Sequence, residues 1–203
     1  MRRQRSLKRA VGTRGRKKKF FLFCEGKNTE PLYFKAYELA VNSAVVELIC
    51  EPAKGVPKTL LRHAEEKIGE LNKRSYIKEN GNEDQVWVVF DEDDHDDIPM
   101  VQERCTALGI HVAYSNPCFE VWLILHFESY DKDEHRDLTQ KYCESTCSGY
   151  AKDGGKTPDF SSLIPRYQDA ESRAEKLLKR REEDGGAAPL TTVHLLTKEI
   201  RKK

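Results

Sequence analysis

The chain lacks an apolar run long enough to cross a bilayer: the longest, Phe119 to Phe127, is interrupted by Glu120 and His126. It also lacks a signal-like apolar core behind its basic N-terminus, so a cytoplasmic location is expected. Six cysteines stand at scattered spacings, which gives no disulfide framework and makes reduced thiols the expectation. Cys143-x3-Cys147 near His135 is half of a zinc pattern without a second pair. Internal repeats, heptads and Pro-rich linkers are missing too, which argues against solenoids, coiled coils and strings of small domains. The first nineteen residues contain no acid at all.

What those nineteen residues do contain is ten Lys or Arg, leaving 25 basic against 34 acidic side chains, a net −9, for residues 20–203. The arm (1–18) and the body therefore have opposite electrostatic roles. A basic arm adds a salt-sensitive, sequence-independent attraction to phosphate backbones, and Arg14, Arg16, Lys17 and Lys18 are its candidate nucleic-acid contacts. The acidic body needs such help, a partner or metal ions to hold a polyanion.

At 203 residues, 38% hydrophobic and 34% charged, the chain suits one ordinary domain with an appendage. Apolar patterns alternate between strand and helix. Strands are expected at Phe20–Cys24, Val45–Glu51, Gln85–Phe90 and Ile110–Tyr114, the first and third continuously apolar as strands buried on both faces are. Helices are expected from Thr29 or Glu30 to Val41, from Pro57 to Lys73, and from Asp97 or Ile98 to Leu108, where Gly109 ends the helix. Ser115-Asn116-Pro117 reads as an N-cap before a helix running to Phe127. Residues 74–84 read as polar loop, and 128–160 lose their pattern. A helix returns over Ser161–Arg181, and Thr191 or Thr192 caps a last short one. The fold class is α/β, a mainly parallel central sheet flanked by helices with a helical C-terminal extension; the division is 1–18 arm, 19–130 core and 131–203 extension.

Two acidic patterns follow apolar strands directly: Phe20-Phe21-Leu22-Phe23-Cys24 leads into Glu25-Gly26, and Val86-Trp87-Val88-Val89-Phe90 leads into Asp91-Glu92-Asp93-Asp94. In an open parallel sheet, ligands gather outside the carboxyl ends of the strands. Carboxylates converging there repel one another unless a cation sits among them, and all-oxygen ligation suits Mg²⁺ or Mn²⁺. Asp91 and Asp93, two apart in extended chain, share a face and are candidate ligands of one ion with Glu25. Lys27 beside them is a candidate for neutralising phosphate charge. Glu120 is an acid in the first turn of an otherwise apolar helix; the helix dipole alone would suit it, but a buried acid needs a partner, which points to a site role.

Glu25-Gly26 and Asp91-x-Asp93, in this strand context and order, resemble the Toprim domain of topoisomerases, primases and OLD-family nucleases. Across most of the chain the resemblance becomes closer: Cys24-Glu25-Gly26-Lys27-Asn28-Thr29-Glu30-Pro31-Leu32-Tyr33-Phe34, then Phe90-Asp91-Glu92-Asp93-Asp94-His95, then Ser115-Asn116-Pro117-Cys118-Phe119-Glu120-Val121-Trp122-Leu123-Ile124-Leu125-His126-Phe127 are similar to the RloB family, related to the second protein of the AbiL abortive-infection pair. The resemblance implies a Toprim-like fold and a role in bacterial phage defence, commonly beside an ATPase partner. It places the Toprim glutamate on Glu25, the acidic pair on Asp91 and Asp93, and the second glutamate of nuclease-type sites on Glu30. The expected activity is metal-dependent cleavage of DNA or RNA. The alternative is a non-catalytic module that binds nucleic acid or an ATPase and holds a structural ion.

Overall fold

Residues 18–41, 46–52, 56–92 and 97–202 are described by the computed structural model, 46–52 as backbone. The chain runs β1 (Lys18–Cys24), α1 (Thr29–Val41), β2 (Val46–Pro52), α2 (Pro57–Leu71), α3 (Arg74–Asn80), β3 (Gln85–Asp91), α4 (Ile98–Leu108), β4 (His111–Asn116), α5 (Glu120–Leu125), α6 (Arg136–Thr146), α7 (Phe160–Leu163), a 3₁₀ turn (Ile164–Arg166), α8 (Tyr167–Asp184), β5 (Leu190–Thr191) and α9 (Val193–Arg201). The strands form one sheet in the order β2-β1-β3-β4-β5. The first four are parallel and β5 is antiparallel on β4, pairing Ser115 with Thr191 and Asn116 with Leu190.

The two central strands are apolar without interruption because both faces are covered. Phe20, Leu22 and Cys24 of β1 and Trp87 and Val89 of β3 belong to one core, shared with α1, α5, α8 and α9. Their alternates Phe21, Phe23, Val86, Val88 and Phe90 pack with α2 and α4 on the other face. The C-terminal extension is continuous with the first core: Ala174, Leu177, Val193 and Leu196 are buried in it together with Leu22 and Trp122.

Within that core sits an imidazole. His126 is fully buried, its Nδ1 2.9 Å from the Trp122 carbonyl oxygen and its Nε2 3.1 Å from the Tyr33 hydroxyl. A carbonyl only accepts, so Nδ1 carries the proton and Nε2 accepts from Tyr33. Burial above all holds this imidazole at a pKa of about 3, far below the ordinary histidine range.

Four local expectations are corrected. Ser115 and Asn116 do not cap a helix: they are ladder residues of β4, held there by β5, and α5 begins only at Glu120. Residues 74–80 are helical although none of them is buried, so no apolar period marks them. The weak stretch after residue 128 contains α6, whose buried residues are Thr139, Gln140 and Cys143. The helix expected from Ser161 is split by the 3₁₀ turn carrying Pro165, and its continuation α8 runs on to Asp184. Gly109 ends α4 in the left-handed conformation, as expected.

Candidate active site at the ends of the first and third strands

After β1 the chain crosses to β2 on one side, whereas β3 and β4 lie on the other, which leaves a crevice beyond the carboxyl ends of β1 and β3. Glu25 follows β1 and Asp91 ends β3 at this crevice. The Glu25 N–H donates to the Val89 carbonyl at 3.0 Å, extending the ladder, and the Glu25 carboxylate accepts the Asp91 N–H at 3.3 Å. The two-residue period of β3 puts Asp91 on the face of Trp87 and Val89, towards α1 and α5. Its side chain is 14% exposed, and its carboxylate accepts the Phe119 N–H just before α5.

Two further acids arrive from those helices. Glu30, in the first turn of α1, folds back so that its Oε1 accepts the Gly26 N–H at 3.1 Å. A Cβ on residue 26 would lie 2.0 Å from Glu30 Oε2, so glycine is what lets the carboxylate lie against the loop. Glu120, in the first turn of α5, is buried and accepts the Tyr150 hydroxyl. All four carboxylates line one cavity of about 260 Å³, whose lining also includes Lys27 and, from the C-terminal extension, Arg136, Gln140 and Lys156. The volume falls below the ~300–1,000 Å³ of drug-sized ligand pockets and suits a phosphate group with its waters or ions.

The acids perturb one another. Burial, then the negative charges of Glu30, Glu120 and Glu25, raises Asp91 well above the usual carboxylate range. Burial raises Glu30 as well, with Glu120 adding to it, and raises Glu25, with Glu30 adding to it. Arg136 answers part of this charge, its guanidinium 3.9 Å from Asp91, a distance for Coulomb attraction rather than a hydrogen bond. Among the described residues no group of three His, Cys, Asp or Glu side chains is placed to hold a metal ion as it stands. The donor chemistry nonetheless fits a hard divalent cation: the oxygens are carboxylate oxygens, they line a cavity, and their mutual repulsion is what such an ion would relieve.

The structure brings together Glu25, Glu30, Asp91, Glu120 and Lys27 of the expected residues. Asp93 lies outside the described residues, as do Arg14, Arg16 and Lys17. Lys18 begins β1, its Nζ 3.1 Å from Glu199 and 4.8 Å from the Phe20 ring centroid. Asn116 donates its Nδ2 hydrogen to the Ala187 carbonyl at 3.0 Å. His135, of the half zinc pattern, is exposed beside Asp137, whereas Cys143 and Cys147 are buried. Reading the sequence missed Arg136, Gln140, Tyr150 and Lys156. The spacing of Arg136 and Gln140, four apart, was the one available signal, since such a pair shares a helix face.

Comparison with known proteins finds one family: the model described as RloB-like protein matches residues 20–200. No curated protein and no solved structure matches the chain.

Proposed function

Because the chain belongs to the RloB-like family, we propose that it is a divalent-metal-dependent nuclease of the Toprim class, cutting phosphodiester bonds in DNA or RNA as an effector of bacterial phage defence under the control of a partner ATPase. The convergence of Glu25, Glu30, Asp91 and Glu120 on one crevice is the observation that carries this reading. Four acids drawn from two strand ends and two helices, with Asp91, Glu30 and Glu25 raised above the usual carboxylate range, are a costly arrangement for a surface without a ligand.

Glu25 and Asp91, with Glu30 and Glu120 beside them, are the residues that would hold Mg²⁺ or Mn²⁺. Bound there, the ion supplies Lewis-acid polarisation of a phosphoryl oxygen. The protein's own part is positioning. The Asp91 N–H fixes the Glu25 carboxylate, the Gly26 N–H fixes Glu30, and the Tyr150 hydroxyl fixes Glu120, so the acids are aimed before substrate arrives. The basic arm, including Arg14, Arg16 and Lys17, adds long-range attraction to the polyanion.

Labelled DNA and RNA incubated with the protein in Mg²⁺, in Mn²⁺ and in EDTA, beside Asp91→Ala, test the reading. Cutting that needs the metal and is lost in Asp91→Ala is expected. Cutting unchanged in Asp91→Ala or in EDTA refutes it. One observation favours the competing reading of a binding module: all four carboxylates already have protein donors, and among the described residues no group of three acids is placed to hold a metal ion. Metal-dependent nucleic-acid binding without cutting, in the presence of the ATPase as well, decides for the module.

A further inference from the structure

Gln140 lies in α6, is 2% exposed and lines the acidic cavity, yet among the described residues its Nε2 has no hydrogen-bond partner. A buried amide donor left unpaired is unfavourable, so a side chain of this kind in a cavity wall marks where a ligand acceptor belongs. Arg136, one turn earlier on the same helix, shares the cavity and stands 3.9 Å from Asp91. Its planar fork has the geometry to meet two oxygens of a phosphate.

Lys156 completes the wall from a different segment. It has φ 54°, the left-handed region, unusual for a residue with a side chain. Two bonds hold it there: its N–H donates to the Ala151 carbonyl at 3.1 Å, and its carbonyl accepts the Thr29 hydroxyl at 2.8 Å. The second bond ties the loop to the first turn of α1, beside Glu30. A lysine kept in a strained backbone conformation at the rim of a cavity has been positioned, and strain of this kind concentrates at ligand sites.

We infer that Arg136, Gln140 and Lys156 form a phosphate subsite, supplied by the C-terminal extension, that holds the non-bridging oxygens of a nucleic-acid phosphodiester against the acidic cluster. This rests on the phosphodiesterase reading above and adds to it which residues grip the substrate. The acids and the subsite divide the work: the first group answers to a cation, the second to the anion.

Fluorescence anisotropy of a short labelled oligonucleotide, with Ca²⁺ replacing Mg²⁺, measures the grip directly; inorganic phosphate is the competitor. Gln140→Leu and Lys156→Ala are expected to weaken oligonucleotide binding about tenfold each, the loss of one charge-assisted or buried hydrogen bond. Gln140→Glu weakens it further, because it sets a carboxylate against the phosphate. In Gln140→Leu the calorimetric Ca²⁺ affinity stays as in the parent protein, and all three variants keep its far-ultraviolet spectrum, which a general structural defect would not allow. Lys156→Ala, in a loop, carries the test alone if the α6 variants do not fold. Parent-like oligonucleotide affinity in Lys156→Ala and Gln140→Leu overturns the subsite, as does binding that inorganic phosphate does not compete. A parent protein that binds through these residues but cuts nothing in Mg²⁺, with the ATPase present as well, leaves the subsite standing and removes the nuclease. Cutting and binding both untouched by the variants does the reverse.

Discussion

Acidifying the protein from pH 7.5 to pH 5 should cost it stability through His126. The native imidazole has a pKa of about 3 against 6.5 in the unfolded chain. A group whose folded pKa is depressed gives stability that is present above the unfolded value and lost as pH falls towards the folded one. Between pH 6.5 and pH 5 the unfolded state takes up the proton and the native state does not, so stability falls by about 1.4 kcal/mol per pH unit, or about 2 kcal/mol by pH 5. That is a large share of the ~5–15 kcal/mol a domain usually has. Glu25, Glu30 and Asp91, raised rather than depressed, work in the opposite sense and become less costly as pH falls. A variant comparison separates the contributions. Urea unfolding followed by tryptophan fluorescence at pH 7.5, 6.5 and 5.0, on the parent and on His126→Gln, should show a shallower loss in the variant by about 1.4 kcal/mol per unit. His111 and His194, also depressed by burial, act in both proteins and cancel in the difference. Identical slopes in the two proteins, or a native His126 resonance titrating near pH 6.5, would refute the buried neutral imidazole.

Asp91→Asn should melt at a higher temperature than the parent in EDTA, because burial and neighbouring acids make the charge unfavourable, and should lose that advantage in saturating Mg²⁺; an unchanged melting temperature in EDTA counts against the cluster. Gly26→Ala should reduce Mg²⁺ affinity measured by calorimetry and abolish cleavage while the fold persists, since the new Cβ displaces the Glu30 carboxylate; parent-like affinity would show that Glu30 takes no part. Burial alone would raise Glu199, but hydrogen bonds from Lys202, Lys18 and Gln85 outweigh it and hold the pKa at about 2, below its ordinary 4.5. The stability this gives is present above pH 4.5 and disappears as pH falls through about 2, so Glu199→Gln should cost about 1–3 kcal/mol in urea at pH 7 and nothing near pH 2; an equal cost at both pH values would refute the linkage.

The sheet was legible because its signals are local. β1 and β3 announce themselves as unbroken apolar runs, each ended by an acid, and α4 is bracketed by Ile98-Pro99 and Gly109. The positions of Glu25 and Asp91 at the strand ends were legible for the same reason, and one cavity gathers them with Glu30 and Glu120. What escaped depends on distant partners. Asn116 looks like a cap until Leu190, far along the chain, pairs with it and keeps it extended. The buried face of α6 is made of Thr139, Gln140 and Cys143, so hydropathy gives no period, and with the helix unseen its contribution to the site was invisible. Lys156 lies in a Gly-rich loop whose meaning comes from one hydroxyl on Thr29, 127 positions away.

That clasp between Thr29 and Lys156, together with the pairing of Lys18 and Glu199 across 181 positions, has a consequence for biosynthesis. Chains emerge from the ribosome N-terminal first, at ~5–20 residues per second. The four acids are all made by residue 120, but Arg136, Gln140 and Lys156 follow later, and the strand and helix that close the sheet edge come last. A nascent or prematurely terminated chain therefore carries the four acids before Arg136 and Lys156, the cations that the C-terminal extension sets beside them, have been made.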